Sequence, residues 1–74
     1  MPHIDVSLYP GRTPEIKENI AKKIQQLCID ELGFAPEHVS VSLTDTNSET
    51  FTEDVLKKVD KSNVIIESEI IKNK

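Results

Sequence analysis

Proline at position 2, arginine at position 12 and phenylalanine at position 51 are the residues of this 74-residue chain whose types could carry chemistry. The initiator methionine is commonly removed when a small residue follows, and its removal would give Pro2 a secondary amine. An unperturbed α-amino group titrates at ~7.7–8.0. Desolvation or a neighbouring cation disfavours the protonated form and lowers that value. A neutral ring nitrogen held by a strand is then a competent general base at pH 7. Taken alone, Pro2 is a weak signal, because proline makes up ~5% of residues in proteins generally. Arg12 follows Gly11 at the approach to a helical pattern. Its planar guanidinium can grip a carboxylate in two places, and helix-start N–H groups share that preference for anions. A solvated loop arginine is the plainer reading of the same position. Phe51 opens a second helical pattern, where it suits either a pocket wall that excludes water or an ordinary core position.

Other chemistries lack their residues. The chain has no Gly-rich phosphate loop, no Gly-x-Ser-x-Gly elbow and no His-Glu-x-x-His pair. His3 and His38 fall on different elements without ligand-like spacing, so no metal is expected. Cys28, the one cysteine, excludes an internal disulfide and a multi-cysteine zinc site. It lies on an apolar helical stripe, where a free thiol behaves as a small hydrophobe. Nine Lys+Arg against thirteen Asp+Glu give a net charge of −4, against a nucleic-acid partner that needs clustered cations. No apolar stretch approaches the ~18 residues of a membrane span, and residues 1–20 carry no basic-then-apolar pattern. The expected location is the cytoplasm.

The elements that must position these residues are legible. Residues 3–9 alternate, with Ile4, Val6 and Leu8 on one face and His3, Asp5, Ser7 and Tyr9 on the other, as in a half-buried strand. Pro10-Gly11 breaks it. Thr13-Pro14-Glu15 is a helix start, with a side-chain cap, a preset φ and an acid at the positive dipole end. Ile16, Ile20, Ile24, Leu27, Cys28 and Leu32 follow at helical spacing, and Gly33 supplies a left-handed stop. A helix over 14–32 would run ~28 Å. Val39, Val41 and Leu43 alternate with Ser40, Ser42 and Thr44 in a second strand. Strand, helix, strand is a βαβ unit with a right-handed crossover, so the strands should be parallel. Thr50 and Glu53 form a capping-box pattern before a short helix that carries Phe51, Val55, Leu56 and Val59 inward. The β-branched run at 64–71 predicts a third strand, apolar on both faces and in need of cover from another subunit. The chain reads as a single α/β (α+β) domain over 1–74.

Its core is thin. Apolar residues are 36% of the chain, and a chain this short buries only ~60% of its unfolded surface. Without a disulfide or a metal, the remaining remedy is association with copies of itself.

The run Pro2-His3-Ile4-Asp5-Val6, then Pro10-Gly11-Arg12, a long amphipathic helix and Val39-Ser40-Val41-Ser42-Leu43 resembles the 4-oxalocrotonate tautomerase family from residue 2 to about 59. The resemblance implies a self-associating β-α-β fold and cofactor-independent catalysis by an N-terminal proline. That proline transfers a proton between the hydroxyl of a dienol or enol of a 2-keto acid and a carbon of the same conjugated system. By position Pro2 would be the catalytic base, Arg12 a substrate-binding residue and Phe51 the pocket aromatic. Hexameric members usually carry an arginine where this chain has Ser40, so Ser40 is the substrate-binding position that departs from the pattern. A dimeric branch begins Pro-His-Ile-Asp, has serine in this strand and carries a longer C-terminal part, as the tail at 64–74 does here. The implied assembly is a dimer, alone or as the unit of a hexamer, with Pro2 at a sheet end beside Arg12.

Two other readings fit the same residues. One keeps the fold and hydrates or dehalogenates unsaturated acids, with Glu49 or Glu53 activating water beside a protonated proline. The other is a non-catalytic oligomeric binding protein, which the missing arginine at Ser40 favours.

Overall fold

In a computed structural model that describes residues 1–72, the two alternating segments pair as predicted. Strand β1 (His3–Leu8) lies parallel to β2 (Ser40–Asp45), in a register running from His3 opposite Ser40 to Leu8 opposite Asp45. The pairing continues past both ends. The Ser40 amide donates to the Pro2 carbonyl at 3.2 Å, and the Thr46 amide donates to the Leu8 carbonyl at 2.8 Å.

The crossover is helix α1 (Pro14–Leu32). Its ends form for the reasons visible in the sequence. The Thr13 hydroxyl accepts from the Ile16 amide at 3.2 Å, Pro14 opens the first turn, and Gly33 closes the last at φ 74° with its N–H on the Ile29 carbonyl. The helix packs on β2. Lys17 reaches Asp45 at 2.7 Å, and the Gln25 amide donates to the Pro36 carbonyl at 3.1 Å. A partly exposed pair such as Lys17–Asp45 adds ~0–1 kcal/mol, so helix placement rests mainly on apolar contact.

Helix α2 (Phe51–Lys58) also forms, with Phe51, Val55 and Leu56 half-buried. Two details differ from expectation. Val59 ends the helix in extended conformation and is 40% exposed, so it does not point inward. The capping box is not made either. Thr50 already closes a turn on the Asn47 carbonyl, which holds its backbone at φ −116°, ψ 14°, away from the extended capping conformation. Its hydroxyl donates to Asp54 Oδ2 at 2.8 Å instead. Acidic Glu53 and Asp54 in the first turn and Lys57 and Lys58 in the last favour the helix through its dipole.

The expected third strand over 64–71 is absent among the described residues. A 3-10 turn at Lys61–Asn63 is followed by exposed bends and a single helical turn, α3 (Glu69–Lys72). Ser68 starts that turn, its hydroxyl accepting from the Ile71 amide at 3.3 Å. β-Branched composition is a weak cause of strand formation when no neighbouring strand supplies a ladder. The last residues of the expected tail, Asn73 and Lys74, lie outside the described residues.

Burial is sparse. Among the described residues the buried apolar side chains are Cys28 and Ile71, at 7% and 8% exposure. Ile65 and Ile66 are 96% and 88% exposed.

The sheet face carrying His3 and Asp5 is polar and bonded across the strands. His3 Nδ1 lies 2.7 Å from Ser40 Oγ, and its Nε2 lies 3.1 Å from Ser42 Oγ. Ser42 and Thr44 hydroxyls donate to Asp5 Oδ1 at 2.6 and 2.9 Å. Because Ser42 gives its proton to Asp5, its oxygen is left to accept from His3 Nε2–H. The Ser42 bond, then the Thr44 bond, hold the Asp5 carboxyl below its ordinary 3.8, against a smaller opposing effect of desolvation; Lys58 at 4.0 Å and His3 add to the lowering. A depressed carboxyl stabilises the fold above its unfolded pKa, and that contribution is lost as pH falls through the lower folded value. Asp5→Asn should therefore be less stable than the parent at pH 7 in urea denaturation. The gap should close progressively below pH 3.8, and a gap of constant size down to pH 2 would contradict this account.

Candidate functional site

The expected site residues fall into two groups at opposite ends of β1. Pro2 is half-buried at the start of the strand, tied to β2 by the Ser40 amide. Because the strands are parallel, Ser40 lies at this same end, its hydroxyl held by His3. Nothing in the sequence reading had joined His3 to Ser40 and Ser42. The signal was present, since all three occupy one face once the strands are aligned in parallel.

The second group forms where β1 stops. Gly11, at φ 122°, makes a turn that other residues rarely adopt. It lets Arg12 fold back so that Nη1 donates to the Tyr9 carbonyl at 3.1 Å. No carboxylate pairs with Arg12 among the described residues, and the first turn of α1 begins two residues on. Cation and helix start therefore both favour an anion here. Phe51 stands edge-on to Tyr9, ring centroids 5.0 Å apart at 83°, a favoured aromatic arrangement. The two rings line a cavity of about 170 Å³ together with Ser48, Glu49, Glu53 and Ile70. Neither Tyr9 nor Ile70 was singled out from sequence. Tyr9 was legible only as the last residue of an alternating run, and Ile70 as part of a strand that does not form.

A second cavity, of about 310 Å³, lies between the end of β2 and α2 and is lined by Asp45, Asn47, Asp54, Lys57 and Lys58 among others. It contains none of the expected site residues. Cys28 is buried in α1.

Within one protomer, then, Pro2 is not beside Arg12. The six residues of β1 separate them by ~20 Å at ~3.3 Å per residue. Arg12, Tyr9 and Phe51 are brought together, whereas Pro2, His3 and Ser40 make a separate cluster.

No helix among the described residues is long and apolar enough to cross a membrane. No curated protein and no solved structure matches the chain. The model of the family described as "Tautomerase enzyme" matches residues 2–59. That stretch runs from Pro2 through β1, α1, β2 and α2, and it takes in Arg12, Ser40 and Phe51 while stopping short of α3. The match extends over most of the chain, and with the parallel β-α-β architecture it establishes that the protein belongs to the tautomerase family.

Proposed function

We propose that the protein is a cofactor-independent keto–enol tautomerase of 2-hydroxy-dienoate or enolpyruvate-type 2-keto acids, with its site completed between two copies. The observation that carries this reading is an Arg12 without a carboxylate partner among the described residues, bonded to the backbone of Tyr9, whose ring meets Phe51, inside the family-matched stretch that begins at Pro2. Removal of Met1 frees the Pro2 nitrogen. In its neutral form that nitrogen accepts the enol hydroxyl proton and returns it to a carbon of the conjugated system. Arg12 holds the carboxylate and, with the start of α1, stabilises the anionic enolate between the two transfers. The same cation lowers the pKa of the proline amine.

Association is supported by surface area. The chain exposes 5659 Å², whereas a compact 8.3 kDa monomer exposes about 4,600 Å². The excess of about 1,000 Å² is what one partner contributes to a stable interface, ~800 Å² or more. A dimer leaves the polar face of His3, Asp5, Ser42 and Lys58 in water. A hexamer that buried this face would have to desolvate its charges. The expected assembly is therefore the dimer.

A second reading has an observation in its favour: Glu49 and Glu53 line the same cavity as Phe51. A carboxylate there would activate water for hydration or dehalogenation of an unsaturated acid. That chemistry needs proline protonated, so its rate falls as pH rises through the amine pKa, whereas the rate of a proline base rises. A pH–rate profile separates the two, and the rising limb is expected.

Ketonisation followed by ultraviolet absorbance should drop ~10²–10⁴-fold in Pro2→Ala, the range for losing a general acid–base group. Material retaining Met1 should be equally impaired, since its proline nitrogen is an amide. Full activity in either would remove Pro2 from the mechanism. Arg12→Ala should lose ~10–100-fold in kcat/KM, as for a charged hydrogen bond worth ~1.5–3 kcal/mol. Mixing the two inactive variants under conditions of subunit exchange tests the shared site. One intact site forms in each mixed dimer, so activity should return to about a quarter of the parent in a two-fold assembly. No recovery despite proven exchange would place the whole site within one protomer.

A further inference from the structure

We infer that His3 is a positioning residue for Pro2: its imidazole, bridging Ser40 and Ser42, closes the first pairing of the sheet and so fixes where the Pro2 nitrogen points. This rests on the reading of Pro2 as the base and goes beyond it, because a base at a chain end needs something to hold it in place.

The need arises from where Pro2 sits. The first residues of a chain fray unless they are tied down, and misplacing a reacting group by about 1 Å can cost about 100-fold in rate. A proline with a free imino nitrogen brings only its carbonyl to the strand ladder. One backbone bond reaches that carbonyl, from the Ser40 amide at 3.2 Å. At the other end of β1 the Leu8 carbonyl accepts from the Thr46 amide at 2.8 Å. The backbone therefore holds the Pro2 end more loosely. Side chains supply what the backbone lacks. His3, the next residue, stands opposite Ser40 in the parallel register. Its Nδ1 lies 2.7 Å from Ser40 Oγ, and its Nε2 lies 3.1 Å from Ser42 Oγ. Ser40 thus grips Pro2 through its amide and His3 through its hydroxyl. The far side of the ring is braced as well, because the Ser42 hydroxyl is itself held by Asp5 Oδ1 at 2.6 Å. The bridge survives a change of charge on the ring. A neutral ring accepts from Ser40 and donates to Ser42, and a cationic ring donates to both once the Ser40 hydroxyl turns.

The test uses material from which Met1 has been removed. Hydrogen exchange compares the Ser40 amide with the Thr46 amide, which closes the opposite end of the strand pair. In His3→Ala the Ser40 amide should exchange about three- to tenfold faster, the change in local opening for one lost hydrogen bond, while Thr46 keeps its rate. Ketonisation kcat should fall about 10–100-fold with KM held within about twofold, because the base is misdirected while Arg12, at the other end of β1, still holds the carboxylate. Ser40→Ala should reproduce the kcat loss, and adding His3→Ala to it should cost less than about twofold more, since the ring acts through that hydroxyl. Unchanged exchange at Ser40, equal acceleration at Ser40 and Thr46, a loss carried in KM or additive losses would each overturn the proposal. If the parent's activity does not depend on Pro2, the tautomerase reading fails on its own. The hold on Pro2 is then read from carbon-13 relaxation of its ring. A ring ordered in the parent and loosened in His3→Ala supports the proposal, and a ring equally ordered or equally mobile in both overturns it.

Discussion

Two parallel strands of six residues and a single crossover helix cannot enclose anything, and the other features follow from this constraint. Parallel pairing sends both strand starts to one end and both strand stops to the other. A residue before β1 and a residue after it are then kept apart by the strand itself. The loop that brings a chain back in an antiparallel hairpin is not available, because the connection is a 19-residue helix. A site that uses both Pro2 and Arg12 must draw on two chains. The same shortage of elements leaves a core whose buried apolar members, among the described residues, are one cysteine and one isoleucine. The thin core and the separation of Pro2 from Arg12 are consequences of one topology.

Legibility in the sequence followed the range of the forces involved. Strand alternation, the Thr13-Pro14 start and the Gly33 stop depend on a few neighbouring residues, and each appears in the structure as its chemistry dictates. The tail was misread because its residues prefer strands only when a partner strand exists. Ser68 and Glu69 instead provide what a helical turn needs at its start. The Thr50–Glu53 pattern was misread for a related reason. The side chains were suitable, but the preceding turn from Asn47 to Thr50 had already set the backbone. The meeting of Phe51 with Tyr9 is a contact across 42 positions of sequence. No local pattern encodes it.

Replacing a second-strand arginine by Ser40 has a structural counterpart. An arginine at that position would stand on the face now occupied by a closed relay from Ser40 through His3 and Ser42 to Asp5. The hydrogen bonds of that relay all run within the strand pair, and the remaining Asp5 oxygen, Oδ2, faces Lys58 of α2 at 4.0 Å. A guanidinium would have introduced donors that the hydroxyls cannot match and a charge able to capture Asp5. The serine therefore does more than omit a cation. It permits a face whose polar side chains bond to one another across the strands.

The two ends of the sheet differ in how far their side chains are paired. At the Pro2 end the side chains bond to one another, and little is left over to bind a second anion. At the Arg12 end the guanidinium uses only the Tyr9 carbonyl, and the Tyr9 ring joins Phe51, Ile70, two carboxylates and the hydroxyl residues Ser48, Thr50 and Thr52 in lining a cavity. One cation, Arg12, is thus left without a carboxylate partner among the described residues, at the end of the sheet where the Tyr9 and Phe51 rings meet.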